Sequence, residues 1–81
     1  MQNTHETAAI NWIELQLEAL KVDRSEVRWI DAQGVRRFEV YRRGGLKTMS
    51  FPPDRIARIA NDEPGIRRQV TEKLRDLFEK A

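Results

Sequence analysis

The sequence predicts an α+β domain with the element order α, β, β, β, α, α, in which the helices pack on one face of an antiparallel sheet. Three observations predict this fold. Apolar residues recur at helical spacing near both ends, they alternate with polar residues between about 26 and 51, and glycines divide that alternating segment into three runs. A chain of 81 residues can build one core only, so we expect a single domain over residues 1–81, with frayed ends at 1–4 and 80–81.

The first helix is predicted to run from a cap at Asn3 or Thr4 to about Lys21, and it carries two apolar stripes. The first stripe consists of Ala9, Ile10, Ile13, Leu17 and Leu20, and the second of Ala8, Trp12, Leu15 and Ala19. An outer helix of a small domain needs only one such stripe. The second stripe is therefore either covered by the last helix or forms an interface with another protein or a second copy of the chain.

A register argument predicts the three-stranded meander. A two-residue turn at Gln33 and Gly34 places Trp29 opposite Phe38. A second turn at Gly44 and Gly45, residues that tolerate a positive φ, places Val40 opposite Met49 and Phe38 opposite Phe51. Both hairpins then share one buried face, which consists of Val27, Trp29, Phe38, Val40, Met49 and Phe51.

The segment after the sheet is predicted to hold two helices. Pro52 and Pro53 end the third strand because neither can donate to a strand ladder, and a short helix follows from Asp54 to Ala60. A longer helix is predicted to begin near Pro64 after a loop. Its apolar stripe consists of Ile66, Val70, Leu74, Leu77 and Phe78.

Residues that carry enzyme chemistry are scarce. The chain has no cysteine, and its single histidine, His5, lies near the N-terminus, so neither a thiolate site nor a catalytic triad can be built. The carboxylates are scattered over all elements. We therefore expect no enzyme activity, no metal, no cofactor and no small-molecule substrate. No secretory signal and no membrane span is visible, which favours a cytoplasmic location.

The positive charge is concentrated in the middle of the chain. The net charge is only +2, yet residues 24–58 contain nine basic side chains against four acidic ones. Arg42, Arg43 and Lys47 surround the predicted second turn, and Arg24 is expected at the same end of the sheet. The predicted register makes Arg42 and Lys47 direct neighbours across the hairpin. Because like charges at such a pair repel, we expect this tip to bind an anion such as phosphate.

The sheet face opposite the core is a second candidate surface. It is predicted to present Glu26, Arg28, Ile30, Arg37, Glu39, Tyr41, Arg43, Thr48 and Ser50. Arg37 could contact phosphate and Tyr41 could stack on a base. The register pairs Arg28 with Glu39 and Tyr41 with Glu26, so a merely solvated face is the alternative.

The predicted order α, β, β, β, α resembles that of the double-stranded-RNA-binding domain. That family has a lysine-rich start to its last helix, aimed at the RNA major groove. The corresponding segment here, Phe51 to Arg58, contains Pro52, Pro53 and Asp54 instead. The resemblance is one of topology and assigns no site residue.

These observations predict a small binding module. We expect contact with DNA or RNA through Arg24, Arg42, Arg43 and Lys47, with Arg37 and Tyr41 on the adjoining sheet face. The alternative is a protein–protein interaction module, such as a regulator, inhibitor or adaptor, that uses the second stripe of the first helix and can form a homodimer.

Overall fold

The computed structural model describes residues 4–79 and confirms the predicted α+β fold, with helices on one face of an open three-stranded sheet. The expected cap Asn3 and the chain ends 1–3 and 80–81 lie outside the described residues, whereas Thr4 is already helical. The elements are α1 (Thr4–Ala19), a 3-10 turn (Arg24–Glu26), β1 (Arg28–Ala32), β2 (Val35–Arg42), β3 (Gly45–Phe51), α2 (Pro53–Ala60) and α3 (Ile66–Glu79).

The first hairpin has the predicted register. Trp29 lies opposite Phe38 and Arg28 opposite Glu39, with β2 as the central strand of the sheet. Gln33 and Gly34 form the turn with φ values of 55° and 82°. Two consecutive positive φ values are those of a type I′ turn, whose twist matches that of the flanking strands.

The predicted register of the second hairpin is wrong by two residues. Phe38 lies opposite Met49 rather than Phe51, and Val40 lies opposite Lys47 rather than Met49. The expected direct pair of Arg42 with Lys47 does not form, because Arg42 lies opposite Gly45. A shift of two residues keeps every side chain on its predicted face, so the buried face of the sheet survives the error.

The position of the second turn explains the shift. The turn residues are Arg43 and Gly44, and β3 already begins at Gly45. Gly45 has a φ of 117°, in the region that suits glycine, whereas Gly44 does not have a positive φ. The backbone therefore requires one glycine at this hairpin, at the first position of β3.

Helix α1 ends two residues earlier than predicted, at Ala19. Lys21 has a φ of 66°, its N–H donates to the Glu18 carbonyl at 2.9 Å, and the Val22 N–H donates to the Leu17 carbonyl at 3.0 Å. This pair of bonds around a left-handed residue is a Schellman motif, which satisfies the last carbonyls of the helix. Val22 is thereby turned into the core.

A short 3-10 turn that the sequence analysis missed precedes β1. Asp23 caps it by accepting from the Ser25 N–H at 3.0 Å, and the Glu26 carboxylate accepts from the Asp23 N–H at 2.9 Å. The backbone hydrogen bond from Ser25, followed by the contribution of its side chain, lowers the pKa of Asp23 below its usual value. Glu26 consequently belongs to this capping box and not to a strand.

The core lies between the sheet and the three helices. Helix α3 begins at Ile66 instead of Pro64, because Gly65 has a φ of 88° and cannot continue a helix. Phe78 of α3 stacks on Phe38 with ring centroids 6.3 Å apart, and α1 packs chiefly against α2. The buried residues are Ala9, Ile13, Leu17, Val22, Phe38, Val40, Phe51, Ile56, Ile59, Ile66, Val70 and Leu74.

Candidate nucleic-acid interface

One face of the sheet carries no helix. The buried sheet residues Phe38, Val40 and Phe51 all lie on the opposite face, towards the helices. The uncovered face presents the other side chains of the three strands. They are Arg28, Ile30, Ala32, Val35, Arg37, Glu39, Tyr41, Leu46, Thr48 and Ser50.

Tyr41 is the most prominent side chain of the uncovered face, with 70% of its surface exposed. It lies opposite Leu46, which is 46% exposed, at the end of β2 next to the turn. Arg28 is the diagonal neighbour of Tyr41, a relationship that spans about 7 to 8 Å in an antiparallel sheet. Arg43 follows two residues after Tyr41, at the tip of the hairpin. Tyr41 thus has one arginine as its diagonal neighbour on the face and a second in the adjacent turn.

The carboxylate expected to neutralise Arg28 is engaged elsewhere. Glu39 lies opposite Arg28, but its carboxylate is 3.6 Å from the guanidinium of Arg37 on its own strand. Within residues 4–79, Arg28 has no ion pair. The Nε of Arg37 is buried and lacks a hydrogen-bond partner among the same residues. Arg37 is therefore packed on the sheet, with 41% of its side-chain surface exposed.

Glu26, which was expected on the same face opposite Tyr41, is not there. The 3-10 turn directs its carboxylate to the guanidinium of Arg42, 3.2 Å away on the helix side of the sheet. Arg42 also donates to the carbonyl of Lys21 at 3.0 Å. Among the strand residues of the uncovered face, Arg28 and Arg37 are therefore basic and Glu39 is acidic, and Arg43 lies in the adjacent turn.

The four basic residues predicted around the hairpin tip do not form one cluster of unpaired charges. Arg24 is 3.4 Å from Glu18 and Arg42 is 3.2 Å from Glu26, so two acidic side chains accompany them. Arg43 and Lys47 have no ion pair among the described residues. Lys47 lies on the helix side of the sheet, opposite Val40. Glu18 and Glu26 would repel a phosphate from the Arg24 and Arg42 side of the tip.

The second stripe of α1 is divided. Trp12 is half buried against the core, and the guanidinium of Arg67 from the first turn of α3 lies over its ring, 5.2 Å from the centroid. Leu15 remains 53% exposed, and Ala8 and Ala19 are exposed beside it. Because Arg67 covers Trp12, Leu15 is the single large apolar side chain exposed on the described part of α1.

The charged residues of the uncovered face were predicted, but not the 3-10 turn that removes Glu26 from it or the pairing of Glu39 with Arg37. The spacing of Asp23 and Glu26 is that of a capping box and was the available signal for the 3-10 turn. Leu46 escaped attention because the predicted register did not pair it with Tyr41. Nothing in the sequence distinguished Arg28 from Arg37 as the partner of Glu39.

No group of three or more histidine, cysteine or acidic side chains comes together within residues 4–79, so these residues offer no set of metal ligands. None of the described helices has the length and apolar character required to cross a bilayer.

Comparison with protein-family models, with curated proteins and with solved structures gave no match for this chain.

Proposed function

We propose that the protein binds single-stranded nucleic acid across the uncovered face of its sheet. The observation that carries the proposal is the exposed ring of Tyr41, which has Arg28 as its diagonal neighbour and Arg43 in the adjacent turn; neither arginine has an ion pair within residues 4–79. An exposed aromatic ring stacks on any base, and unpaired arginines bind the phosphates on either side of it. Such sheet faces suit an unpaired strand whose bases are free to stack.

The open sheet favours a single strand over a duplex. Duplex readers insert a helix or a two-stranded ribbon into a groove, whereas here the cations lie beside an exposed ring on a broad surface. One aromatic side chain supports one stacked base, so we expect a short site and moderate affinity. A cytoplasmic location, favoured by the cysteine-free sequence, agrees with this role.

A protein-binding role through α1 has less support. Trp12 and Leu15 are the two large side chains expected at such an interface, and Trp12, the larger, is half buried beneath Arg67. The two functions differ in how they respond to salt, because phosphate contacts release counterions and apolar contacts do not.

Titration of a fluorescent ten-nucleotide single strand at two salt concentrations tests the proposal. With two or three phosphates contacted, the logarithm of the association constant should fall with the logarithm of salt concentration with a slope of about −1.4 to −2.1. A duplex of equal length should bind more weakly. Absence of binding at low salt, or binding insensitive to salt, would contradict the proposal.

A further inference from the structure

A groove opens on the helix side of the sheet, where the end of α1, the β2–β3 turn and the end of α3 meet. Its volume is about 610 Å³, within the range of about 300 to 1,000 Å³ that is usual for small-molecule sites. Leu20, Leu77 and Phe78 form its apolar floor, and Arg43, Lys47 and Asp76 stand around it. We call it the tip groove.

The floor of the tip groove is held in place by the core. Phe78 stacks on the buried ring of Phe38, with centroids 6.3 Å apart and planes inclined by 22°. Leu20, Leu77 and Phe78 pack against the core but are only half buried. One side of this surface is therefore fixed, and the other is left open to a ligand.

The charges around the groove are available to a ligand. Arg42 also lines it, but its guanidinium is engaged by Glu26 and by the Lys21 carbonyl. Lys47, Arg43 and Asp76 have no ion pair within residues 4–79. The register of the second hairpin places Lys47 opposite the buried Val40, on the helix side of the sheet, and its Nζ lies at the turn, 3.9 Å from where a Cβ on Gly44 would be.

We propose that the tip groove binds a single nucleotide. The phosphate would contact Lys47 and Arg43, the flat base would lie on Phe78, and Asp76 would accept N–H groups from the edge of the base. Guanine presents two adjacent N–H donors, which suits a carboxylate that can accept two hydrogen bonds. The site is separate from the uncovered face, except that Arg43 can serve both, and the inference does not rest on the proposed function.

A nucleotide fits these groups better than an alkyl carboxylate does. An alkyl chain on the floor would remove water from Asp76 without offering it a donor, and a carboxylate deprived of hydrogen bonds is unfavourable. An inorganic anion would contact Lys47 and Arg43 but would leave the apolar floor of the groove exposed to solvent. The nucleotide gives each lining group a partner.

Amide chemical shifts of the isotope-labelled protein test the inference, with guanosine monophosphate, guanosine, inorganic phosphate and octanoate as separate probes. We expect guanosine monophosphate to shift the amides of Leu20, Lys47 and Phe78 and to bind at least fivefold more tightly than guanosine. Equal shifts with phosphate alone, binding of octanoate without the nucleotide, or no shift with any probe would overturn the inference.

Variants at two lysines provide a matched comparison. Lys47→Gln should weaken binding of guanosine monophosphate at least fivefold, whereas Lys73→Gln, on the exposed side of α3, should leave it unchanged. Equal effects of the two substitutions would contradict the inference. Tyr41→Ala should not affect the tip groove, so its result separates this site from the uncovered face.

The nucleotide can be free or can be the end of a strand, since both present the same phosphate and base. A ten-nucleotide strand that begins with 5′-phosphoguanosine distinguishes them. Tighter binding of this strand than of guanosine monophosphate, with the same groove amides shifted, identifies a strand end as the ligand. Shifts with the mononucleotide alone identify the free nucleotide.

Discussion

The guanidinium of Arg67 lies over the indole ring of Trp12, 5.2 Å from the ring centroid, and joins the first turn of α3 to the middle of α1. The same guanidinium donates from Nε to the carbonyl of Ile59 at 3.1 Å and approaches Asp62 at 3.4 Å. Arg67 thereby connects all three helices. This contact covers a side chain that would otherwise be an exposed aromatic surface.

Replacement of Arg67 by alanine should lower the free energy of unfolding by about 1 to 2 kcal/mol, because a cation–π contact and a hydrogen bond to a carbonyl are lost together. Urea denaturation measures the change. Arg68→Ala is the matched control, since Arg68 is 86% exposed and pairs only with Glu72 on the same helix. Its effect should stay below about 0.5 kcal/mol. Equal effects of the two substitutions would show that the Trp12 contact does not stabilise the fold.

The two adjacent glycines of the second hairpin should respond differently to alanine. Gly45→Ala should destabilise the protein by roughly 1 to 3 kcal/mol, because its φ of 117° is unfavourable for an L residue. Gly44→Ala should be neutral or stabilise the protein by up to about 1 kcal/mol, since a Cβ there meets only the Lys47 Nζ at 3.9 Å. Thermal or urea unfolding of both variants checks this order. Destabilisation by Gly44→Ala as large as that by Gly45→Ala would favour the register that the sequence first suggested.

Asp23 should make stability depend on pH in the acid range. Its pKa is lowered by the hydrogen bonds from Ser25, so the folded state favours the charged carboxylate. The contribution is complete above the pKa of the unfolded chain and is lost as the pH falls through the lower pKa of the folded chain. The difference in unfolding free energy between the wild type and Asp23→Asn should therefore shrink on acidification below the usual aspartate range. A carboxyl titration by NMR that gives Asp23 an ordinary or raised pKa would contradict this account.

The arginines of the uncovered face should each contribute to the salt dependence of single-strand binding. Arg28→Gln and Arg43→Gln should each reduce the magnitude of the slope by about 0.7, the value expected for one lost phosphate contact. Arg75→Gln on exposed α3 is the control and should leave the slope unchanged. If all three substitutions act alike, the binding reflects net charge and not this face.

Tyr41 should supply affinity without salt dependence. Tyr41→Ala should weaken binding at least fivefold, the lower limit expected for the loss of one stacked base, with the slope unchanged. Tyr41→Phe keeps the ring and should bind like the wild type. Loss of binding in Tyr41→Phe would indicate that the hydroxyl, and not stacking, makes the contact.

Much of the fold could be predicted because apolar periodicity reports which side of an element faces the core. The register of the second hairpin could not be predicted, because the alternation of apolar and polar residues repeats every two positions. Val40 faces the core whether it pairs with Met49 or with Lys47. The two pairings differ in which residues form the turn, and two adjacent glycines conceal which of them needs a positive φ.

The residue types of the candidate site could be predicted from the sequence, but the ion pairs between its carboxylates and arginines could not. Tyr41 and Arg37 lie on the uncovered face, whereas Arg43, expected on the same face, is a turn residue. The partners of Glu26 and Glu39 depend on a single 3-10 turn and on side-chain rotamers, which strand pairing alone does not determine. Those two carboxylates decide which arginines are left unpaired.

The packing of α1 against α2 has a consequence for how the chain folds. Each strand pairs only with its neighbour in sequence, so the sheet assembles through short loops, as fast-folding domains do. Helix α1 is synthesised before the sheet, yet its helical partner begins only at Pro53. Its apolar surface stays without that partner until most of the chain has left the ribosome, and docking of the helices is the step that closes the longest loop.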